Sequence, residues 1–315
     1  MKIAILNNLP LTESNITELE KIGDVVFFEE SQLETEISEN MKHANVILTH
    51  CYSTPLTSHV FENTDSLEFI SLFSTGYDNV DLVSAYKNKV QISNIPDYAS
   101  DSVAEHTIAL AMSLNRNISV LNSKMKEVPF KINPTDPSQY KFLGSNLVGK
   151  TIGIIGFGSI GKKVAEIADS LKIKVIFFNR TVINKTGFSQ VSLDVLLKES
   201  DIVSLHLPLS PETEGIIGAK QFELMRPKSI FINTARANLI NEYALIEALE
   251  RKHLGGAALD VISNMTDKNK LLGFENVILT PHSSFFTKES IDQCARTAID
   301  NVKAFINKKP INLIN

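Results

Sequence analysis

The chain has 315 residues, of which 43% are hydrophobic and 21% are charged. This composition is typical of a globular protein with two ordinary domains, and it excludes intrinsic disorder. A formal net charge of -5 and a pI near 5.9 give no electrostatic reason to expect nucleic acid or an anionic membrane as a partner.

Short runs rich in Val, Ile and Phe alternate with amphipathic segments through the first third of the chain. We predict strands at residues 3–6, 25–28, 46–49, 69–73 and 90–95. This βα rhythm is typical of a parallel sheet that is covered by helices on both faces. No apolar run approaches the ~20 residues of a membrane span.

A second series of strands follows a helical pattern at residues 102–125 and a proline-containing loop. We predict its strands at residues 151–155, 174–178, 202–205, 230–232, 257–259 and 277–280, and a last helix at 289–306. The fold class is therefore α/β, with two doubly wound parallel-sheet domains. The two cysteines, Cys51 and Cys294, show no metal-ligand spacing, so we expect reduced thiols in a cytoplasmic protein.

Polar side chains follow five strands of the second series. They are Asn179 and Arg180, His206, Thr234 and Arg236, Asp260, and His282. Polar strand ends are common singly, but ligands of open parallel sheets bind outside the carboxyl ends of the strands. We therefore expect a site at this edge.

A glycine-rich turn opens the second series. Gly156, Gly158 and Gly161 follow a predicted strand and precede a helical pattern, in the spacing G-x-G-x-x-G. The first glycine permits a tight turn, the second lets the backbone approach a pyrophosphate, and the third lets helix and strand pack closely. The pattern predicts dinucleotide binding, and the alternative is a purely structural turn.

The next strand ends in Asn179, Arg180 and Thr181, without the carboxylate that usually selects NAD. Nothing there repels a 2′-phosphate, and the Arg180 guanidinium could pair with one. These residues favour NADP over NAD. The alternatives are that Arg180 is solvated or stacks on adenine.

Several segments together resemble the D-isomer-specific 2-hydroxyacid dehydrogenases, of the glyoxylate/hydroxypyruvate reductase and phosphoglycerate dehydrogenase types. The matching segments are residues 74–81, 102–107, 149–158, 206–209, 233–236, 256–261 and 279–282. The resemblance implies a flavodoxin-like substrate domain (1–99 and 284–315) and a Rossmann cofactor domain (100–283). It also implies a homodimer and a small 2-oxoacid or 2-hydroxyacid as substrate.

Arg236 and His282 are the candidate catalytic residues for NAD(P)H-dependent reduction of a 2-oxoacid. The Arg236 guanidinium can bind a carboxylate and polarise the adjacent carbonyl, and His282 can supply the proton. The backbone of Thr75 and Gly76 is a candidate for the other carboxylate oxygen. The alternatives are an ordinary surface arginine and a satisfied core histidine.

The resemblance also implies a set of cofactor-binding residues, with Asp260 at the nicotinamide carboxamide. They are Val103, Thr107, Gly156, Gly158, Ser159, Ile160, Gly161, Asn179, Arg180, Thr181, His206, Pro208, Thr213, Thr234, Ala235 and Asp260.

The chain departs from the family where a glutamate normally lies beside the histidine, since Met265 occupies that position. A carboxylate there raises the imidazole pKa and fixes the tautomer, which methionine cannot do. Three interpretations remain: Asp267 substitutes, His282 works unassisted with a pKa near the ~6.5 reference, or turnover is lost. We expect an impaired enzyme whose reductase activity improves below about pH 7. The alternative is a catalytically degenerate, dinucleotide-binding regulatory protein.

Overall fold

The computed structural model describes residues 1–29, 33–64, 66–263 and 268–315. These residues form two compact units, Met1–Tyr98 with Thr287–Asn315, and Ala99–Phe286. The domain boundaries predicted from the sequence, 1–99 with 284–315 for one domain and 100–283 for the other, stay predictions.

The described part of the first unit contains a five-stranded parallel sheet. Its strands are β1 (Lys2–Leu6), β2 (Asp24–Phe28), β3 (Val46–Thr49), β4 (Phe69–Leu72) and β5 (Gln91–Ser93). The spatial order is β2-β1-β3-β4-β5, which is the flavodoxin-like order of a doubly wound sheet. The strands predicted for the first third of the chain are thus confirmed.

Helices cover both faces of this sheet, so its strands read as continuous apolar runs. The first helices are α1 (Glu13–Glu20), α2 (Glu34–Met41), α3 (Ser58–Glu62) and α4 (Leu82–Lys87). Along β1, Ile3 and Ile5 belong to one core cluster, and Ala4 and Leu6 to the other. Each fully buried Ile or Leu side chain stabilises the fold by roughly 1.5–3 kcal/mol.

The second unit begins with two helices where the sequence predicts one. They are α5 (Ser100–Asn115) and α6 (Ile118–Glu127), with a 3-10 turn at Pro137–Phe142. The single helix expected over 102–125 is wrong, because Asn117 adopts a left-handed backbone with φ 53°. Asparagine tolerates this conformation better than most residues, and it interrupts the helix.

The described residues of the second unit form a seven-stranded parallel sheet. The strands are β6 (Thr151–Ile155), β7 (Lys174–Phe178), β8 (Ser189–Gln190), β9 (Ile202–Leu205), β10 (Ile230–Asn233), β11 (Gly256–Leu259) and β12 (Val277–Leu279). The order β12-β11-β10-β9-β6-β7-β8 reverses beside β6, as in a Rossmann fold. The sequence did not predict β8, because two residues are too few for a periodic signal.

Two layers of helices sandwich this second sheet. They comprise α5 and, along the rest of the chain, α7 (Ser159–Ser170), α8 (Leu193–Glu199), α9 (Ala219–Leu224), α10 (Glu242–Glu250) and α11 (Lys268–Leu272). Ile152 and Ile154 of β6 share a cluster with α5 and α7, whereas Ile155 belongs to the cluster of α8, α9 and α10. The carboxyl edge of the sheet is left to the loops, where the polar residues lie.

The last helix, α12 (Lys288–Ile306), packs on the sheet of the first unit. Cys294, Ala298 and Val302 are buried there, and the Ser71 hydroxyl donates to the Ala298 carbonyl at 3.1 Å. The chain therefore returns to the unit in which it began. Among the helices of the described residues, none is long and apolar enough to cross a bilayer.

Candidate active site

The glycine turn lies between β6 and α7, at the point where the strand order reverses. Gly156 has φ 96°, and a Cβ there would lie 2.5 Å from the His206 carbonyl oxygen. A Cβ on Gly161 would lie 2.2 Å from the Gly156 carbonyl oxygen, whereas a Cβ on Gly158 would meet nothing within 4 Å. Gly156 and Gly161 are thus required by the packing of the protein itself. The open space beside Gly158 suits a pyrophosphate that is held by the N–H groups at the start of α7.

The loop after β7 is tied to the glycine turn. The Asn179 Oδ1 accepts the Phe157 N–H at 3.3 Å, and its Nδ2 donates to Thr181 Oγ1 at 3.0 Å. Gln190 Nε2 donates to the carbonyls of Asn179 and Thr181, both at 3.0 Å. Asn179 and Thr181 are therefore fixed by the protein, while the Arg180 side chain is exposed and available to a ligand. Gln190 was missed from the sequence because its role depends on the two-residue strand β8.

His206 lies after β9 and forms a hydrogen-bonded pair with Ser204, with Nε2 2.8 Å from the Ser204 hydroxyl. Burial of the ring lowers its pKa to about 3, so the imidazole is neutral near pH 7. A neutral ring that already has a partner fits the cofactor-lining role expected for His206 and not proton transfer.

Two further pairs of expected cofactor residues come together in this unit. Thr107 Oγ1 lies 3.2 Å from Thr234 Oγ1 and donates to the Val103 carbonyl at 2.8 Å, which joins α5 to the end of β10. Thr213 Oγ1 donates to the Pro208 carbonyl at 2.7 Å and closes the loop after β9. The sequence motifs that were far apart in the chain therefore meet at one sheet edge.

A buried asparagine shapes the turn that carries Arg236. Asn233 Oδ1 accepts the Ala235 N–H at 3.0 Å, and its Nδ2 donates to the Arg236 carbonyl at 2.8 Å. The Arg236 side chain is half-buried, and its Nη1 donates to the Ala235 carbonyl at 2.9 Å. Asn233 was not singled out from the sequence, because an amide at a strand end has no distinctive pattern.

His282 lies in a turn after β12 that Asp260 holds in place. The His282 N–H donates to the Asp260 carbonyl at 2.8 Å, and His282 has φ 52°, in the left-handed region. The Asp260 carboxylate accepts the N–H groups of Ser283 at 2.8 Å and Ser284 at 2.9 Å, and the Thr280 hydroxyl at 2.5 Å. Asp260 therefore organises the His282 turn, in addition to the cofactor contact expected of it.

The surroundings of His282 shift its pKa downward, and so favour the neutral imidazole. Burial lowers the pKa of the His282 imidazole below its ordinary value, while the Asp260 charge raises it and the Arg236 charge lowers it. The Phe285 ring stands edge-on to the imidazole, with centroids 5.6 Å apart and planes at 81°. Burial is the largest of these influences, so the pKa of His282 lies below the ordinary imidazole value.

Asp260 remains ionised despite its burial. Burial by itself raises the pKa of the Asp260 carboxyl, but hydrogen bonds from Ser284, Thr280 and Ser283 outweigh it and place the pKa below its ordinary value. A negatively charged carboxylate therefore contacts the backbone N–H groups of the His282 turn.

The segment of the expected glutamate lies outside the described residues. Met265, Thr266 and Asp267 all fall there, so the substitution of Asp267 for the missing carboxylate stays a prediction. The described chain ends before this segment at Ser263, whose N–H and hydroxyl donate to the buried Glu242 carboxylate at 2.6 and 2.8 Å.

Thr75 and Gly76 lie in the first unit, on the loop after β4. The Thr75 carbonyl accepts from Asn94 Nδ2 at 2.8 Å, and the Gly76 carbonyl accepts from the Ser74 hydroxyl at 2.7 Å and the Cys51 thiol at 3.2 Å. These contacts fix the loop through its carbonyl groups. They are compatible with backbone N–H groups that bind an anion.

Comparison with known proteins gives consistent matches. Residues 108–284 match the family model of the D-isomer specific 2-hydroxyacid dehydrogenase NAD-binding domain. The chain is 32% identical to the hydroxypyruvate reductase of Blautia hydrogenotrophica, over 100% of both chains.

Two solved structures align over the whole of both chains. An acyclic imino acid reductase in complex with NADPH and D-Arg is 34% identical, with a TM-score of 0.92. The D-lactate dehydrogenase of Lactobacillus jensenii with NAD+ is 28% identical, with a TM-score of 0.80. The first of these proteins thus holds NADPH, and the second holds NAD+.

Proposed function

Because the chain belongs to the D-isomer-specific 2-hydroxyacid dehydrogenase family, we propose that it reduces a small 2-oxoacid to a D-2-hydroxyacid with NAD(P)H. The observation that supports this proposal is that Arg236 follows β10 and His282 follows β12, at the same carboxyl edge of the Rossmann sheet. The Arg236 charge also contributes to the lowered pKa of His282. A catalytically degenerate protein that only binds the dinucleotide would not require these two residues.

The chemistry of the residues follows from their charges and donors. Arg236 would bind the substrate carboxylate and polarise the adjacent carbonyl through charge-assisted hydrogen bonds. Gly158, the start of α7 and Asp260 are the groups that would hold the dinucleotide, whose nicotinamide would supply the hydride. The His282 imidazolium would donate a proton to the substrate oxygen. We also propose the backbone N–H groups of Thr75 and Gly76 as partners of the carboxylate.

Turnover tests this proposal directly. NADPH oxidation should be seen with glyoxylate or hydroxypyruvate, after a thermal shift has shown that the cofactor binds. Arg236→Ala should lower kcat/KM by about a hundredfold, since a charge-assisted bidentate contact is lost. A protein that binds NADPH but turns over none of a panel of 2-oxoacids would support the degenerate alternative.

For the cofactor we propose a preference for NADP over NAD. The exposed Arg180 follows the end of β7, and the residue at the position of the usual carboxylate is Asn179, whose amide is held by the glycine turn. Arg180→Ala should weaken NADPH binding about tenfold and leave NADH binding nearly unchanged. A lower KM for NADH than for NADPH in the unmodified protein would contradict this preference.

A second candidate substrate is a 2-imino acid, which the match to an imino acid reductase favours. A protonated C=N group accepts hydride at carbon while its π electrons become the nitrogen lone pair, so no proton donor is required. A neutral His282 is also a better neighbour for that cation than an imidazolium. The lowered pKa of His282 and the uncharged Met265 in the sequence therefore suit an imino acid.

Variants at His282 separate the two candidates. His282→Gln should lower 2-oxoacid reduction by about a hundredfold or more, because proton donation is lost. Reduction of an imine, formed from the same 2-oxoacid and an amine in excess, should fall much less. NADPH oxidation and amino acid product are measured with and without amine. An amine that changes neither quantity would rule out the imino acid.

We also propose a homodimer that forms through the second unit, in the cytoplasm. Large apolar side chains are exposed in one stretch of that unit: Ile118, Met125, Val128, Ile132, Tyr140, Leu143 and Val148. Large apolar side chains exposed along one stretch of the chain suit a surface that binds another protein. Val128→Asp combined with Leu143→Asp should yield a monomer in light scattering, and an unmodified chain that is already monomeric would refute the dimer. Both cysteines are buried, and neither forms a disulfide, which is compatible with a reducing compartment.

A further inference from the structure

A chain of hydrogen bonds runs from α5 to the turn that carries His282. His106 Nε2, on α5, lies 3.3 Å from the Thr280 hydroxyl, which lies 2.5 Å from Asp260 Oδ1. The direct distance from His106 Nε2 to Asp260 Oδ1 is 3.8 Å. His106 is thus connected to the buried carboxylate both through the hydroxyl and through space.

The direction of these hydrogen bonds follows from a count of protons. Asp260 accepts N–H groups at both of its oxygens, so its carboxylate acts only as an acceptor. The Thr280 hydroxyl has one proton and must donate it to Asp260. His106 Nε2 must therefore carry a proton and donate it to the Thr280 oxygen. The imidazole and the hydroxyl form a one-way chain that ends on the carboxylate.

The carboxylate in turn determines the backbone of the His282 turn. The two backbone N–H groups that follow His282, those of Ser283 and Ser284, both donate to the Asp260 carboxylate. His282 itself is held at a positive φ by the carbonyls of Asp260 and Thr280, at 2.8 and 3.0 Å. This conformation is uncommon for a non-glycine residue, and the two hydrogen bonds of the His282 N–H help to hold it.

We propose that His106 is a positioning residue for His282, acting through Thr280 and Asp260 and not through contact with substrate. By donating to the Thr280 oxygen, His106 commits the hydroxyl proton to Asp260 and so fixes the oxygen that anchors the His282 turn. The role in catalysis rests on the proposed reductase function, whereas the role in the geometry of His282 does not.

Three variants of His106 isolate the donor that the chain requires. His106→Gln places an amide nitrogen at the same number of bonds from the backbone as Nε2, so it can still donate to Thr280. His106→Asn places its amide nitrogen nearer to the backbone, at the level of Nδ1, and His106→Leu has no donor. We expect kcat to fall about two- to tenfold in the Asn and Leu variants, and most of it to return in the Gln variant. The KM for NADPH should stay within about twofold.

A double-mutant cycle with Thr280→Val tests whether the effect passes through the hydroxyl. His106→Leu should have little further effect once Thr280 is valine, because the chain is already broken. The same variants are compared by NMR at the His282 Cε1–H, whose chemical shift reports the ring environment without turnover. His106→Leu and Thr280→Val should shift this resonance alike, and His106→Gln should not.

The outcomes separate failure of this proposal from failure of the proposed function. Equal effects of the Gln and Leu variants, or additive effects in the double mutant, would overturn the positioning role. A protein without turnover, in which His106→Leu and Thr280→Val still shift the His282 resonance alike and His106→Gln does not, would support the chain of hydrogen bonds and refute only the reductase.

Discussion

Two turns at the carboxyl edge of one sheet are built in opposite ways. The glycine turn after β6 is held by close backbone approach, where the Gly156 and Gly161 positions leave no room for a Cβ. The His282 turn after β12 is held by side-chain acceptors, since Asp260 binds the N–H groups of Ser283 and Ser284. The conformation of the first turn therefore depends on the absence of side-chain volume, and that of the second depends on hydrogen bonds.

This difference determines which substitutions each turn tolerates. A methyl group added at Gly156 or Gly161 should disrupt the first turn, whereas a polar isostere of Asp260 should weaken the second. It also determines what the sequence reveals. A steric requirement selects glycine at fixed spacing, but a hydrogen-bond requirement can be met by residues far apart in the chain.

The largest effect is expected at the glycine turn. Gly161→Ala puts a Cβ 2.2 Å from the Gly156 carbonyl oxygen, so the turn must open and cofactor binding should weaken more than about a hundredfold. The matched control is Gly158→Ala, whose Cβ meets no protein atom within 4 Å. It should keep the Tm of the cofactor-free protein and weaken only NADPH binding. Thermal shifts with and without NADPH measure both, and equal Tm losses in the two variants would refute the steric account.

A smaller effect is expected from Asp260→Asn, which keeps the size of the side chain and removes an acceptor. One N–H of Ser283 or Ser284, or the Thr280 hydroxyl, must then face an amide N–H in a buried position. Such an unsatisfied group costs about 1–3 kcal/mol, which corresponds to roughly a five- to hundredfold loss in kcat/KM. The control is Asp194→Asn, an exposed aspartate in α8. Activity equal to that of the control would show that Asp260 does not hold the His282 turn.

The smallest effect is expected from Phe285→Ala, which opens one side of the His282 ring to water. Hydration of the ring raises the pKa of His282 toward the ordinary imidazole value, and 2-oxoacid reduction should extend to higher pH. The change in kcat/KM near pH 7 should be less than about tenfold. Phe286→Ala is the control, because this neighbouring ring is 69% exposed. If the midpoint of the pH dependence of kcat/KM is the same in the two variants, Phe285 does not affect the pKa of His282.

The fold and the first turn could be predicted from the sequence because their signals are local. The apolar runs of β6 and β7 and the spacing of Gly156, Gly158 and Gly161 are each contained within a few residues of the chain. The polar ends of five strands also predicted the edge at which Arg236 and His282 lie.

The second turn could not be predicted, because its contacts join distant parts of the chain. His106 and Thr280 lie 174 positions apart, and neither residue has a local pattern that indicates the other. Asn233 looks like an ordinary end of a strand until its amide is seen to hold the Arg236 carbonyl. Hydrogen bonds between single side chains have no periodicity, so only the folded arrangement reveals them.

His282 is proposed to donate the proton in 2-oxoacid reduction from a site that lowers the pKa of its imidazole. The most direct measurement is the pH dependence of kcat/KM for hydroxypyruvate. Reduction needs the imidazolium, and the pKa of His282 in the folded protein lies below the ~6.5 reference. As the pH is raised, kcat/KM should therefore begin to fall before pH 6.5 is reached, and it should then fall about tenfold per pH unit. A flat profile between roughly pH 5 and 8 would contradict the assignment of His282 as the proton donor.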